Sequence, residues 1–277
     1  MDNGKLRLMY AESAEFIRSR IGGILPKTGL LLGSGLGALA GFLTDRVELP
    51  YGEIPNFPVS TVKGHAGMLV AGKMDGTDVV MFRGRFHNYE GWEDWQMTYG
   101  VRVMKLLGVE RMIIVNAAGG VNRAYHQGDM MLIRDHISVF APSPLRGQNM
   151  DDFGTRFPDM THAYCKDAID LAVAAGREEG VDFRQGMYAF AQGPMYETPA
   201  EIKMFSLIGA DTIGMSTVAE VIIACHAGIK VLGVSCVTNM AAGLQNTPLH
   251  HQEVLDTERA VEEKLSNVLR KVISRWS

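Results

Sequence analysis

GLLLGSGLG, residues 29–37, places an uninterrupted apolar run directly before a glycine-rich turn. An apolar run without polar alternation is typical of a strand that is buried on both faces, as in a parallel sheet covered by helices. Glycines let backbone N–H groups approach an anion closely, and Ser34 adds a hydroxyl donor. The stretch therefore predicts an interior strand that ends at an anion site, and a tight turn without a ligand is the alternative.

The same turn also fits the relaxed dinucleotide fingerprint G-x-G-x-x-G/A when Ala38 is taken as its last small residue. The acidic residue expected about 20 positions further on, at the end of a second strand, is not clearly present. An NAD-dependent dehydrogenase is thus a rival from another enzyme class. It would require a nicotinamide partner that none of the later motifs supplies.

Similar apolar runs recur along the chain and alternate with amphipathic stretches, which is the pattern of an α/β fold. Strands are predicted over residues 29–32, 79–82, 112–115 and 230–237, and helices over residues 95–107, 163–179, 218–227 and 253–274. Residues 142–158 are polar and aperiodic, as expected of a lid or an interface segment. No low-complexity linker divides the sequence, so we expect one domain over residues 1–277.

Composition excludes several classes of protein. The 277 residues carry a net charge of −4, so no broad cationic surface is available for nucleic acid. The three cysteines are odd in number and lack CxxC spacing, which argues against a disulfide framework or a zinc ribbon. No apolar run reaches the roughly 18 residues of a membrane-spanning helix, and the first residues do not resemble a signal peptide. We expect a cytoplasmic protein with no membrane partner.

Further motifs follow the predicted strands or open predicted helices: RGRFHNYEG (83–91), NAAGG (116–120), GMST (214–217) and TN (238–239). The carboxyl ends of parallel strands are where α/β sheets bind ligands. Arginine and histidine can bind an oxyanion there, and an amide side chain can recognise a heteroaromatic edge. Each motif also has a structural interpretation: a solvated turn, close helix packing, or a helix N-cap at Ser216.

GPMYET, residues 193–198, precedes a helix predicted to begin near Pro199. Glu197 is either an acidic residue at a helix start, where the dipole favours an anion, or a carboxylate that accepts N1–H of a purine stacked on Tyr196. The residues alone leave both interpretations open.

Taken together, nine strings resemble the purine nucleoside phosphorylases of the homotrimeric class. In chain order they are GSGLG, GHAG, GRFHNYEG, NAAGGVN, GTRFPDM, GPMYETPAE, GMSTVAEV, TNMAAG and HHQEVL. The likeness spans nearly the whole chain, and the ordered set is highly specific. It implies a twisted mixed β-sheet flanked by helices and phosphorolysis of purine nucleosides without a cofactor or a metal, with inorganic phosphate as co-substrate.

The resemblance also implies a role for each matching residue. The phosphate ligands would be Ser34, His65, Arg85, His87, Ser216 and the backbone N–H of Ala117. The ribose contacts would be Tyr89, Met215, His251 and, lent by a neighbouring subunit of the trimer, Phe157. The base site would comprise Ala117, Ala118, Tyr196, Glu197, Gly214 and Asn239, and the catalytic groups would be Asn239, Glu197 and His87.

The chain departs from the family pattern at four positions. Tyr196 stands where phenylalanine is usual, and Met195 replaces a small residue, which could alter the base pocket. Ala219 and Gly100 occupy positions that are commonly proline, which concerns helix entry and not chemistry.

The base contacts imply a substrate preference. A 6-oxopurine offers O6 as an acceptor and N1–H as a donor, which match Asn239 and Glu197, whereas adenine reverses both; we therefore expect inosine and guanosine to be preferred over adenosine. Methylthioadenosine phosphorylase, the nearest rival, is expected to carry Asp at position 239 and to lack Glu197. A preference for xanthosine, or a nucleoside-binding protein without activity, is left open.

Overall fold

The computed structural model describes residues 2–33, 37–59, 67–245 and 251–276, the side chains of residues 251–253 excepted. Within these ranges the chain forms nine strands: β1 (Thr28–Leu32), β2 (Leu43–Pro50), β3 (Met68–Met74), β4 (Thr77–Arg83), β5 (Arg111–Gly120), β6 (Met130–Ile137), β7 (Arg184–Phe190), β8 (Thr212–Gly214) and β9 (Lys230–Met240). The same ranges contain seven α-helices: α1 (Asn3–Ile21), α2 (Asp94–Met97), α3 (Tyr99–Leu107), α4 (Lys166–Glu178), α5 (Pro199–Leu207), α6 (Val218–His226) and α7 (His251–Arg275). No helix in the described part of the chain has the length and apolar character needed to cross a membrane.

The nine strands form one mixed sheet in the order β2-β3-β4-β1-β5-β8-β7-β6-β9. Strand β9 pairs not only with β6 but also with β5, along ten residue pairs from Arg111↔Lys230 to Gly120↔Met240. Strands β5, β8, β7, β6 and β9 therefore close into a ring, and β1, β4, β3 and β2 extend from β5 as an open arm. The predicted α/β fold with a twisted mixed sheet is confirmed, and the closure is an additional feature that apolar patterning does not reveal.

All four predicted strands are present, as β1, β4, β5 and β9. Every residue of β1 is buried, and β9 is buried from Val231 to Asn239. Their continuous apolar runs thus correspond to strands covered on both faces, as the sequence indicates.

The predicted helix over 95–107 is two helices, α2 and α3, that meet at Thr98. The Thr98 backbone leaves the helical region (φ −96°, ψ 6°), and its Oγ1 donates to the Asp94 carbonyl at 2.8 Å. A threonine hydroxyl that bonds to the carbonyl four residues earlier bends a helix, which accounts for the break. The predicted helix over 163–179 begins later, at Lys166, because the Cys165 N–H donates to the Val231 carbonyl of β9 at 2.7 Å and ties the preceding residues to the sheet.

The first helix, α1, is a feature that the sequence interpretation missed. Asp2 caps it by accepting from the Lys5 N–H, and Gly22 ends it with φ 63°. Its buried residues are Leu6, Tyr10, Ser13, Ala14, Ile17 and Ile21, which recur every three or four positions, with Ser13 and Ala14 adjacent. This spacing is the ordinary signal of an amphipathic helix, so the information was present in the sequence.

Strand directions bring four loops to one edge of the sheet. Strand β1 is parallel to β4 and to β5, and β5 is parallel to β9. Their carboxyl ends therefore open on the same side, where Gly33 and Arg85 follow β1 and β4. Asn116 and Asn239 lie inside β5 and β9, because these strands continue to Gly120 and Met240, beyond the predicted ends at residues 115 and 237. This edge is where a doubly covered α/β sheet binds its ligand.

Candidate active site

One cavity at this edge is lined by eleven of the predicted site residues: Arg85, His87, Tyr89, Ala117, Ala118, Tyr196, Glu197, Gly214, Met215, Ser216 and Asn239. Segments that lie more than 150 residues apart in the sequence thus converge on a single space. Ser34, His65 and the side chain of His251 lie outside the described residues. Phe157 lies on a separate groove and its side chain is 86% exposed.

Arg85 lines the cavity and donates four hydrogen bonds to other residues that the structure describes. Its Nη1 donates to Ser216 Oγ at 2.9 Å and to Thr217 Oγ1 at 3.1 Å, while its Nη2 donates to the carbonyls of Leu31 and Val115. The guanidinium is only 2% exposed, so its charge acts in a low-dielectric setting. It joins the ends of β1, β4 and β5 to the loop before α6.

That loop contains a tight turn at Thr217. The Val218 N–H donates to the Ser216 carbonyl at 2.9 Å, and Thr217 between them has φ 79° and ψ −49°. Such a turn is uncommon, and a positive φ is unfavourable for a β-branched residue. The turn places Ser216 in the cavity beside Arg85. The interpretation of Ser216 as a helix N-cap is wrong, because the N-cap position of α6 is Thr217 and no side-chain cap bond is formed there.

His87 is oriented by Glu90, a residue that the sequence interpretation did not single out. Glu90 Oε1 accepts from the His87 backbone N–H at 2.8 Å and lies 3.1 Å from His87 Nδ1. The His87 ring also stacks on Tyr89, with centroids 4.7 Å apart and planes 15° apart. With Nδ1 directed at a carboxylate, the ring is fixed with its other edge toward the cavity. The i, i+3 spacing in HNYE was the available signal.

Asn239, which pairs with β5 four residues beyond the Val115 carbonyl that Arg85 contacts, is positioned by a β-bulge. Ala118 pairs with Val237 but Gly119 pairs with Asn239, so Thr238 is an extra residue in β9. Asn239 Nδ2 donates to the Met240 carbonyl at 3.2 Å, and Oδ1 accepts from Thr238 Oγ1 at 3.0 Å. These bonds fix which end of the amide is the donor. One N–H and one lone pair are left for a ligand edge.

Glu197 and Tyr196 line the same cavity from the segment before α5. Burial raises the pKa of the Glu197 carboxyl above its usual value. The helix itself does not use Glu197 as a cap, because Thr198 and Glu201 form the capping box. Glu197 therefore lies one residue before the N-cap of α5 and has no capping role of its own.

Close backbone approach explains Gly214. A Cβ on this residue would lie 2.5 Å from the Tyr188 hydroxyl and 3.2 Å from the Ala117 carbonyl. Any side chain would therefore push β8 away from the end of β5 or fill the cavity.

The cavity is also lined by residues that are not in the predicted set of site residues, namely Gly33, Asn116, Gly119, Ile213, Thr238, Ala241, Val254 and Glu258. Helical spacing puts Val254 on one apolar stripe with Val261, Leu265, Val268 and Val272, which predicts packing on the sheet, yet Val254 lines the cavity. Val254 and Glu258 are one turn apart on α7, so helical spacing shows that they share a face but not that this face meets the cavity.

Comparison with known proteins agrees with this geometry. The family model described as the phosphorylase superfamily matches residues 27–274. The chain belongs to the phosphorylase superfamily. It is 48% identical to purine nucleoside phosphorylase 1 of Geobacillus stearothermophilus, over 96% of this chain and 97% of that protein. It is 44% identical to the purine nucleoside phosphorylase of Rattus norvegicus, over 92% of this chain and 91% of that protein.

Solved structures of this superfamily superpose closely on the chain. The Schistosoma mansoni purine nucleoside phosphorylase in complex with inosine has a TM-score of 0.91 at 40% identity, covering 97% of this chain and 96% of that one. The same enzyme in complex with adenosine has a TM-score of 0.92 at 39% identity, covering 100% and 98%.

Proposed function

We propose that this chain is a purine nucleoside phosphorylase that converts a purine ribo- or 2′-deoxyribonucleoside and inorganic phosphate into the free base and a pentose 1-phosphate. The observation that carries the proposal is the direct Arg85–Ser216 contact in the same cavity that Glu197 and Asn239 line. Arg85 contacts the Val115 carbonyl and Asn239 pairs with Gly119, four residues further along β5. An anion site and a purine site thus face each other across a space for a sugar. The relatives named above carry the same activity in their names.

The phosphate end is built from hydrogen-bond donors. Arg85, His87 and Ser216 would bind the anion together with the Ala117 N–H, and Ser34 and His65 would complete the set. The phosphate then lies beneath the sugar, where its negative charge stabilises the cationic character that develops at C1′ as the glycosidic bond breaks. The phosphate oxygen forms the new bond to C1′, and the bonding pair of the broken bond passes into the purine.

The purine end stabilises the departing base. Asn239 would donate to O6 and accept from protonated N7, and Glu197 would accept from N1–H. Both contacts strengthen as electron density enters the ring. Tyr196, Ala117, Ala118 and Gly214 would enclose the base, and Tyr89, Met215 and His251 would hold the ribose. No cofactor or metal takes part in this scheme.

The same contacts support a preference for inosine and guanosine over adenosine. Adenine would present a lone pair at N1 to Glu197 and an amino group to the Asn239 N–H. A buried mismatch of this kind can discriminate by roughly 10⁴ or more. Because a similar enzyme has been crystallised with adenosine, binding alone does not decide the question and turnover must be measured.

The test is base release from a panel of inosine, guanosine, xanthosine and adenosine, with and without inorganic phosphate. We expect phosphate-dependent release of hypoxanthine and guanine and little release of adenine. Preference for adenosine would overturn the base contacts. Binding of inosine without phosphate-dependent release would identify a nucleoside-binding protein. NAD binding, with no phosphate-induced rise in melting temperature, would favour the dehydrogenase.

We further propose that the active form is a homotrimer in which Phe157 completes the sugar site of a neighbouring subunit. Supporting this, Val139 and Phe157 are exposed apolar residues (76% and 86%) that line one groove of about 640 Å³, and Phe140, next to Val139 in the sequence, is 54% exposed. Apolar side chains clustered in this way usually mark an interface. Phe157→Ala should raise the KM for nucleoside while leaving the KM for phosphate unchanged, and sedimentation should show three chains. An active monomer would refute the assignment.

A further inference from the structure

Thr217 directly follows Ser216, a residue that lines the cavity, and has an irregular backbone conformation. Its φ of 79° is unfavourable for a side chain branched at Cβ, yet the residue is fully buried and does not line the cavity. Glycine or asparagine would adopt this conformation at lower cost. A strained residue beside a binding site is retained when its side chain has a task that the relaxed alternatives cannot perform.

Only one assignment of donors and acceptors is consistent with the hydrogen bonds around Thr217. Arg85 Nη1 and Asn116 Nδ2 lie 3.1 and 2.8 Å from Thr217 Oγ1, and both groups can only donate. They occupy the two lone pairs of the threonine oxygen. The Thr217 proton must therefore be donated elsewhere, and the acceptor in reach is Ser216 Oγ at 3.1 Å.

The same reasoning applied to Ser216 fixes its proton. Ser216 Oγ accepts from Thr217 Oγ1 and, at 2.9 Å, from Arg85 Nη1. Both of its lone pairs are then occupied, so its own hydroxyl hydrogen must point in the remaining direction. Ser216 lines the cavity, so that direction leads to the place where an anion would lie.

We propose that Thr217 is a positioning residue that, together with Asn116, turns the Ser216 hydroxyl into a donor aimed at the bound phosphate. This inference rests on the proposed phosphate site. Without the Thr217 hydroxyl, the Ser216 proton can rotate toward the vacated lone-pair directions, and the phosphate loses a prealigned donor. The strained turn sets the threonine oxygen where three partners can reach it.

The decisive variant is Thr217→Val, which keeps the branched shape and removes only the hydroxyl. We expect the KM for phosphate to rise about 5- to 20-fold, which is less than the loss of a whole hydrogen bond to a charged group because the Ser216 hydroxyl is misdirected and not removed. The KM for inosine should stay within about 2-fold of wild type. Thr217→Ser should restore the KM for phosphate. Thr212→Val is the matched control, because Thr212 is equally buried in β8 and its hydroxyl has only a 3.9 Å contact to Met131 Sδ.

A double-mutant cycle with Ser216→Ala separates this inference from the proposed function. Ser216→Ala should raise the KM for phosphate about 10- to 100-fold, and adding Thr217→Val should raise it little further because the two residues act through one hydroxyl. If Ser216→Ala leaves the phosphate KM unchanged, the phosphate site itself is wrong. If Ser216→Ala raises it and Thr217→Val does not, or the two effects multiply, Thr217 is not acting through Ser216. If Thr217→Val is too unstable to assay, failure of Thr217→Ser to retain the wild-type phosphate KM also overturns the inference.

Discussion

Replacing Asn239 with aspartate should reverse part of the substrate preference. In the structure Asn239 Nδ2 lies 3.2 Å from the Met240 carbonyl, which identifies that end of the amide as the donor. The second hydrogen of the same nitrogen is the one available to O6 of a 6-oxopurine. Asn239→Asp replaces this nitrogen with an oxygen that faces two acceptors, while the contact from Thr238 to Oδ1 is kept.

The size of the effect follows from the burial of the amide. Asn239 is 6% exposed, so water cannot replace the missing donor. Loss of one prealigned donor to developing charge costs about 10²–10³ in rate, or roughly 2.7–4 kcal/mol. For adenosine the new carboxylate oxygen faces the 6-amino group, so kcat/KM should stay level or rise. The ratio of inosine to adenosine kcat/KM should therefore fall by about 10²–10³.

The assay compares kcat/KM for inosine and adenosine at saturating phosphate in wild type, Asn239→Asp and Asn239→Ala. The alanine variant removes donor and acceptor together and should weaken turnover of inosine without improving turnover of adenosine. A change in the ratio of less than about 3-fold in Asn239→Asp would show that the amide does not contact the 6-position, because a single lost donor of this kind is worth far more.

Three further predictions concern the two ends of the cavity. Glu90→Gln removes the charge that orients His87 and should raise the KM for phosphate about 10-fold; an unchanged phosphate saturation curve would contradict this role. Burial raises the pKa of Glu197, so the ionised carboxylate that accepts N1–H is lost as pH falls through that raised value. The acid limb of the pH profile of kcat/KM for inosine should therefore lie above the ordinary glutamate range, and it should disappear in Glu197→Gln. Gly214→Ala places a methyl group 2.5 Å from a hydroxyl oxygen and should destabilise the fold by about 1–3 kcal/mol in urea unfolding, whereas Gly41→Ala, which meets nothing within 4 Å, should not.

Much of the site could be predicted because its residues follow strands that are easy to recognise. The apolar runs before Gly33, Arg85 and Asn116 predict buried parallel strands, and parallel strands present their carboxyl ends together. Strand order did not have to be known for this argument. A single motif does not assign a role to Glu197 or Asn239. Their expected roles came from the ordered resemblance to the purine nucleoside phosphorylases.

Other features were not predictable because they depend on distant contacts or on single side-chain bonds. The break at Thr98 follows from one hydroxyl-to-carbonyl bond, and Thr98 is unremarkable within an amphipathic pattern. The ring closure requires β9 to pair with both β5 and β6, which apolar patterning cannot specify. The apolar spacing of α7 predicts only that Val254 faces inward. A residue that faces the cavity and a residue that faces the sheet have the same helical spacing, so the sequence cannot distinguish them.

Two irregularities of the backbone flank the cavity, one at each end. The positive φ at Thr217 orients the loop that carries Ser216, and the bulge at Thr238 turns Asn239 out of the regular alternation of β9. Regular strand and turn geometry would be more stable at both positions, so local sequence rules fail here for a common reason. A phosphate and a purine must be held on opposite sides of one sugar, and regular strand ends do not aim their side chains at both. The positive φ at Thr217 and the bulge at Thr238 redirect Ser216 and Asn239 toward the cavity. Restoring regular backbone at Thr217 should therefore weaken phosphate binding alone, and restoring it at Thr238 should weaken purine binding alone.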